Sequence, residues 1–142
     1  DIFVVFMLNE LILRLMQTEA RHILLESTDV LHHSSRLAFV VKYIREHLHE
    51  PLTVQALSEK ACMSQTHFHR CFKLELGISP IDFINAERIK LAKTLLKNPN
   101  KRVNEVCYAC GFNSMSYFNN VFRRSTGYAP TAYRNYHVEK IS

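Results

Sequence analysis

The sequence predicts an all-α protein: two helix-turn-helix subdomains joined by a long linker helix and preceded by one N-terminal amphipathic helix. Three observations lead to this fold class. Only three glycines and four prolines occur in 142 residues, which is few for a protein built from hairpins and turns. Apolar residues recur at helical spacing along much of the chain. Residues 53–134 contain an internal repeat, which predicts two copies of one small structural unit.

The first segment is predicted to be a helix from about Phe3 to Glu26, followed by a polar linker at 27–33. Its apolar stripe repeats at helical spacing and consists of Leu8, Leu11, Ile12, Leu15 and Met16. This stripe has three candidate partners: an identical helix, a missing upstream domain, or the module that follows. Because the chain starts at Asp1 within an apolar run, we expect it to be part of a longer polypeptide.

The following elements lead into the repeat. A helix from Ser34 to about His49 ends before Pro51. A later continuous helix, with Pro80 in its first turn, is predicted to be roughly 27 Å long at 1.5 Å per residue. The predicted boundaries are 1–33 for the first helix and linker, 34–79 for the first helix-turn-helix subdomain, 80–98 for the linker helix and 99–142 for the second subdomain, with 34–142 forming one domain.

The repeat defines the two subdomains. Seven residues recur as like residues fifty positions later: Ser64, Phe68, Phe72, Lys73, Gly77, Pro80 and Phe83 correspond to Ser114, Phe118, Phe122, Arg123, Gly127, Pro130 and Tyr133. Just upstream the offset is 49, since Val54, Leu57 and Met63 match Val103, Val106 and Phe112. Each unit is a short helix, a brief turn, a serine in the N-cap position and a second helix. This is the helix-turn-helix pattern.

Charge is distributed unevenly along the chain, whose net charge is +5. Residues 1–33 hold two basic and five acidic residues, a net charge of −3, whereas residues 34–142 hold sixteen basic and eight acidic residues, a net charge of +8. The second part is therefore a candidate binder of polyanions. The apolar run from Ile2 to Leu8 is far shorter than the ~20 residues of a membrane span. We expect a cytoplasmic protein without membrane association.

Cysteines and histidines show no spacing typical of a metal or catalytic site. Cys107 and Cys110 form a CxxC, but no second CxxC or spaced histidine pair completes a zinc set. We interpret both as small buried hydrophobic residues. His67 and His69, two positions apart, point to different sides of a helix. The sequence predicts no metal, no cofactor and no catalytic residue, because it also lacks a Ser-His-Asp order, a phosphate loop and a carboxylate pair.

The second helix of each unit has an outward face suited to the major groove of DNA. Phe68 and Phe72, like Phe118 and Phe122, fall together on a helical wheel and are expected to face the core. The opposite faces hold hydroxyl, amide and guanidinium groups, which can bond base edges. The predicted base contacts are Thr66, His69, Arg70, Ser116, Asn119 and Asn120. The predicted phosphate contacts are Gln65, Lys73, Ser114, Tyr117 and Arg123.

Two segments resemble the C-terminal module of AraC/XylS-type transcription regulators. They are "MSQTHFHRCFKLELGISPIDFINAERIKLAKTLL" and "VCYACGFNSMSYFNNVFRRSTGYAPTAYR", and the resemblance covers residues 36–136. It implies two helix-turn-helix subdomains bridged by a long helix, and activation or repression at promoters. It also implies an upstream sensor or dimerisation domain, of which residues 1–33 would be the remnant. By the same resemblance, base contacts would fall on Thr66, His69, Arg70, Ser116, Tyr117 and Asn120.

The expected function is therefore a sequence-specific transcription regulator, with activation favoured, that reads two successive major grooves. Its expected partners are double-stranded DNA, RNA polymerase, and a second copy bound through helix 3–26 or through the missing domain.

Some positions depart from the family pattern: Cys62 stands where relatives often carry Gly, and Ser58 and Cys107 where they often carry Ala. All three are small enough to fit. Arg88, within the linker helix, is expected to form a structural ion pair rather than contact DNA.

Two other classes of function compete with DNA binding. A helical repeat can serve as a docking scaffold for proteins, but the +8 charge of residues 34–142 and the serine-capped short helices disfavour this. An enzyme is disfavoured because no catalytic constellation appears, and glycine is nearly absent where loops would build a site. Retention on heparin that depends on salt would separate DNA binding from protein docking.

Overall fold

The structure, a computed structural model, describes residues 2–17 and 20–140. Within these residues all regular secondary structure is α-helical, as the sequence predicts. The helices are α1 (Ile2–Gln17), α2 (Ala20–Glu46), α3 (Val54–Lys60), α4 (Gln65–Leu76), α5 (Pro80–Leu96), α6 (Val103–Ala109), α7 (Met115–Thr126) and α8 (Pro130–Glu139). The pairs α3–α4 and α6–α7 are the two helix-turn-helix units. The turn is one residue longer in the second pair, which explains the change of offset in the repeat.

The N-terminal region, up to the end of α2, differs from the prediction. Instead of one helix at 3–26 and a linker at 27–33, the structure has α1 and then a 27-residue α2 that continues into the first subdomain. The polar residues expected to end the helix bond back to it: Ser27 Oγ donates to the carbonyl of Ile23 at 2.8 Å, and Thr28 makes a similar bond at 2.9 Å. Because α2 contains no glycine or proline, this polar stretch forms an exposed helix surface rather than a linker.

The apolar stripe of α1 is exposed to solvent. Leu8, Leu11 and Ile12 are each more than half exposed, whereas Leu15 and Met16 lie outside the described side chains. The stripe is thus not buried by the module that follows it. None of the helices in the described ranges combines the length and apolarity needed to cross a membrane.

Two hydrophobic cores, one in each subdomain, share α5. The first is formed by Leu37, Val40, Ile44, Leu57, Ala61, Phe68, Phe72, Phe83 and Ile84. The second is formed by Ile89, Ala92, Leu96, Val106, Cys107, Cys110, Phe112, Phe118, Val121 and Phe122. The linker helix contributes Phe83 and Ile84 to the first core and Ile89, Ala92 and Leu96 to the second. Each large apolar side chain buried in this way stabilises the fold by about 1.5–3 kcal/mol, so α5 is held firmly by both subdomains.

The second helix of each pair is capped at both ends as the repeat predicts. Ser64 and Ser114 each accept a hydrogen bond from the backbone amide three residues later, at 3.2 Å in both cases. At the opposite ends, Gly77 and Gly127 adopt left-handed conformations with φ of 78° and 81°. These caps fix the length of each helix and the direction in which the chain leaves it.

The turns of the two units also share a left-handed residue, Cys62 in the first (φ 54°) and Gly111 in the second (φ 93°). Cys62 therefore fits the turn, as expected. It does so in a backbone conformation that costs an L residue roughly 1–2 kcal/mol relative to a right-handed one.

Replacing Cys62 by Gly is expected to stabilise the protein by about 0.5–1 kcal/mol. The substitution relieves the left-handed strain, and the greater flexibility of glycine in the unfolded chain offsets only part of the gain. Urea unfolding of C62G should show a higher midpoint at an unchanged slope. Cys62→Ser, which keeps the strain and removes only the exposed thiol, serves as the control and should not move the midpoint. A lower midpoint for C62G would contradict the strained conformation.

Candidate nucleic-acid interface

The helix α4 is anchored by two aromatic side chains and turns a polar face to solvent. Phe68 and Phe72 are fully buried, with ring centroids 5.5 Å apart, and Phe83 of α5 packs edge-on against Phe72 at 5.6 Å. Edge-to-face packing of this kind adds about 0.5–1.5 kcal/mol beyond the area that is buried. The inward orientation predicted for the two phenylalanines is confirmed, and the opposite face of α4 is therefore held rigidly in place.

The helix α7 is anchored in the same way. Phe118 and Phe122 are fully buried with centroids 5.6 Å apart. Phe112 contacts Phe118 at 5.1 Å, and Tyr133 of α8 packs edge-on against Phe122 at 5.4 Å, where Phe83 stands in the first unit. The repeat in the sequence is thus a repeat of the same packing.

All eleven side chains predicted to contact DNA are exposed on α4, on α7 or at their N-caps. The exposed set on the first helix is Gln65, Thr66, His69, Arg70 and Lys73. The exposed set on the second is Ser114, Ser116, Tyr117, Asn119, Asn120 and Arg123. Neither helix has an acidic residue in its first turn. The partial positive charge of each helix N-terminus is therefore left uncompensated by the helix itself, which favours an approaching phosphate.

Arg70 is held by a neighbour on its own helix. Its Nη2 atom donates a hydrogen bond to Nδ1 of His67 at 3.2 Å. Since a guanidinium can only donate, this nitrogen of the neutral imidazole carries no proton and accepts. Arg70 is consequently steered toward the N-terminal half of α4 before any ligand binds.

Tyr117 connects α7, on which it lies, to the linker helix α5. Its hydroxyl oxygen accepts a hydrogen bond from Nδ2 of Asn85 on α5 at 2.8 Å, and its ring packs near Phe112. The hydroxyl proton stays available for donation to a phosphate oxygen. Sequence reasoning missed Asn85, because a lone polar residue on a long helix carries no signal of a bond to a residue 32 positions away.

The two subdomains are joined by Arg88 of α5. Its Nε atom donates to the carbonyl of Leu48 at 3.0 Å and its Nη2 atom to the carbonyl of Glu50 at 2.9 Å. The predicted ion pair is therefore wrong, because among the described residues its partners are backbone carbonyls. Burial lowers the pKa of Arg88, and its guanidinium also lies 5.7 Å from the ring of Phe112 in the second core. The expectation of a structural role holds.

An arginine of the second subdomain also bonds two backbone carbonyls, and the sequence analysis overlooked it. Arg134 of α8 donates to the carbonyl of Leu96 at 3.2 Å and to that of Lys101 at 2.6 Å. Leu96 is the last residue of α5, where a helix leaves backbone acceptors unused, and Lys101 lies in the loop that leads to α6. Arg134 stands in the closing Tyr-Arg of the second segment, which is the signal that could have found it.

The CxxC thiols are buried in the second core. Burial, together with the neighbouring Cys107, raises the pKa of Cys110 to about 12, and burial also raises the pKa of Cys107. Thiolates, the form that binds metals and reacts, are thus disfavoured at both positions. The interpretation of these two cysteines as small hydrophobic core residues is confirmed.

Comparison with known proteins agrees with this geometry. Residues 57–136, more than half of the chain, match a protein family described as a helix-turn-helix domain. The chain is similar to the probable transcriptional regulator LumQ of Photobacterium leiognathi, with 36% identity over 98 residues, or 69% of this chain and 40% of LumQ. It is also similar to the HTH-type transcriptional activator RhaS of Escherichia fergusonii, with 28% identity over 109 residues, or 77% of this chain and 37% of RhaS.

A solved structure resembles the chain over most of its length. It is the DNA-binding domain of AdpA, the global transcriptional factor, in complex with a target DNA. The TM-score is 0.71 at 36% identity, and the match covers 74% of this chain and 95% of the AdpA domain. By contrast, the chain spans only about two fifths of the length of LumQ and RhaS. The likeness to AdpA thus concerns its DNA-binding domain.

Proposed function

The chain belongs to the AraC-type helix-turn-helix family, and we propose that it reads DNA by inserting α4 and α7 into two successive major grooves. It is the DNA-binding domain of a transcription regulator and not an enzyme, as the sequence predicts. The observation that supports the two-groove proposal most strongly is the repeated geometry: two helices of equal length, each fixed by a buried phenylalanine pair, with exposed polar faces.

The length of the linker helix supports the proposed spacing of the two recognition helices. With 17 residues, α5 spans roughly 26 Å at 1.5 Å per residue. The two recognition helices pack on either end of it, so their centres can match successive major grooves, which recur about every 34 Å along one face of B-DNA. We therefore propose an asymmetric, bipartite target of roughly 15–20 base pairs, bound by a single chain.

The proposed roles follow from the chemistry of the exposed groups. Thr66, His69 and Arg70 on α4 would contact base edges, with the guanidinium suited to guanine. The corresponding set on α7 is Ser116, Asn119 and Asn120, whose amides suit adenine. The proposed phosphate contacts are Gln65, Lys73, Ser114, Tyr117 and Arg123. These would fix the register of the protein and supply affinity that depends on salt.

The remaining parts of the proposal concern the longer protein. RhaS is named as an activator, and on this basis we propose that the chain activates transcription by contacting RNA polymerase at its promoters, in the cytoplasm. The exposed stripe of α1 supports a homodimer, formed either through this helix or through an upstream domain.

Replacing Lys73 by Ala is expected to weaken binding to all sequences by a similar factor and to reduce the salt dependence of the binding constant by roughly one unit of log–log slope. A target is first selected from a random duplex library with the unmodified chain, which should enrich a bipartite motif. Titrations at several salt concentrations then compare both proteins on that target and on a scrambled duplex. A loss confined to the selected target would show that Lys73 contacts a base, which would contradict its proposed role.

A further inference from the structure

Three metal-ligating side chains meet where α2 packs against α4. His67 and Cys71 are one turn apart on α4, and His33 reaches them from α2. All three are half-buried, and one ligand atom from each can be chosen so that the three lie within 4.8 Å of one another. Among the described residues, His33, His67 and Cys71 are the members of this group. The spacing along the chain conceals it, because His33 stands 34 positions before His67 and belongs to the stretch predicted to be a linker.

The geometry of the cluster is close to that of a zinc site. Tetrahedral zinc, with N at about 2.0–2.1 Å and S at about 2.3 Å, places its ligand atoms roughly 3.3–3.6 Å apart. Cys71 Sγ already lies 3.5 Å from His67 Nε2. The ring of His33 stands edge-on to that of His67, with centroids 5.0 Å apart. A side-chain rotation of His33 that moves its nitrogen by about 1 Å would complete the set.

We propose that His33, His67 and Cys71 form a binding site for a divalent transition metal of the zinc class, with water in the fourth position. Imidazole and thiolate select zinc-like ions over Mg²⁺ and Ca²⁺, which prefer oxygen ligands. On binding, the thiol of Cys71 releases its proton to solvent, and both histidines coordinate in the neutral form. The metal ties the middle of α2 to the first recognition helix.

Metal binding changes the hydrogen bond that steers Arg70. In the metal-free cluster, Nδ1 of His67 accepts from Arg70, so the ring proton is on Nε2 and faces the sulfur of Cys71. Coordination through Nε2, the nitrogen nearer to the sulfur, moves this proton to Nδ1, which then donates and can no longer accept. Coordination through Nδ1 would displace the guanidinium directly. In either case Arg70 loses its acceptor.

The loss of this hydrogen bond couples metal binding to DNA recognition, a consequence that rests on the proposed function. A released Arg70 guanidinium is free to make its two bonds to a guanine edge. Zinc should therefore tighten binding to the selected target by roughly two- to tenfold, the factor that one competing hydrogen bond supplies. The metal would thus bias the first recognition helix without touching DNA itself.

The test uses Co²⁺ as a spectroscopic probe, with Zn²⁺ competition to obtain affinity. The reduced chain should bind one equivalent of Co²⁺ and show a thiolate-to-cobalt charge-transfer band, which Zn²⁺ removes. Cys71→Ser should lose the band, and His33→Ala and His67→Ala should bind roughly a hundredfold more weakly, since loss of even an outer partner of a ligand costs about 10–100-fold. Two variants are the matched controls: Cys62→Ser alters an exposed thiol, and His32→Ala alters the histidine next to His33. Both should bind Co²⁺ like the unmodified chain. Circular dichroism verifies that each variant remains helical.

The proposal is wrong if the unmodified chain shows no saturable charge-transfer band, or if C71S keeps it while C62S loses it. Nitrogen NMR of the His67 ring tests the second step without DNA: zinc should shift the proton from Nε2 to Nδ1 or coordinate Nδ1 itself. An unchanged ring would overturn the release of Arg70. Titrations on the selected target then separate the two proposals. Specific DNA binding that ignores zinc contradicts the coupling alone, whereas an absence of specific DNA binding contradicts the proposed function and leaves the cobalt result standing.

Discussion

Gly111→Ala is expected to lower the free energy of unfolding by about 3–5 kcal/mol. Gly111 has a φ of 93°, so an L residue there is strained by roughly 1–2 kcal/mol. A Cβ at this position would in addition overlap the carbonyl oxygen of Leu48 and crowd the guanidinium of Arg88. Because that guanidinium bonds to this same carbonyl, displacing it removes a hydrogen bond from a half-buried charge, at a further cost of roughly 1.5–3 kcal/mol.

The matched control is Gly127→Ala. Gly127 has a similar φ of 81°, but no atom lies within 4 Å of the position its Cβ would take. It should therefore cost only the conformational strain, about 1–2 kcal/mol. Urea unfolding of both variants measures the difference. Equal losses would mean that the close approach of Gly111 to Leu48, just beyond α2, does not hold the subdomains together.

The double variant Arg70→Ala with Asn120→Ala is expected to weaken binding to the selected target by about 2–6 kcal/mol. Each side chain, bonding one base edge, should contribute about 1–3 kcal/mol. The residues lie on different helices with separate cores, so the two losses should add to within about 0.5 kcal/mol. Each single variant should relax base preference in one half of the target and leave the other half unchanged.

Fluorescence anisotropy with target duplexes mutated in either half measures these losses. Arg36→Ala with Asn135→Ala is the matched control, since both residues are exposed and lie outside the recognition helices. Its binding constant should stay close to that of the unmodified chain. If Arg70→Ala and Asn120→Ala relaxed the same base position, or if the double loss equalled the larger single loss, the two helices would not be reading separate grooves.

Much of the fold could be predicted because each helix of the helix-turn-helix unit occurs in both copies of the repeat. The phenylalanine pairs of α4 and α7, the serine caps and the glycine ends follow local rules of helix periodicity and capping, and these rules act over a few residues. The same holds for the exposure of the predicted contact residues, which lie opposite the buried pairs. Agreement between two copies in one register made each assignment stronger than it would be alone.

The features that the sequence concealed depend on residues far apart in the chain. The bonds from Arg88 to the carbonyls beyond α2 span about forty positions, and backbone acceptors leave no trace in the sequence. His33 was assigned to a linker because polar residues suggested one, whereas Ser27 and Thr28 satisfy their own hydroxyls on the helix. Without the extended α2, the approach of His33 to His67 cannot be foreseen.

The measurement that tests the central proposal most directly is a hydroxyl-radical footprint of the chain on its selected target. Two-groove reading predicts two protected patches on one face of the duplex, centred about 10–10.5 base pairs apart. In the Arg70→Ala variant, protection of the patch bound by α4 should weaken before that of the other patch. In the Asn120→Ala variant, protection of the patch bound by α7 should weaken first. A single protected patch, unchanged in position in both variants, would contradict the account.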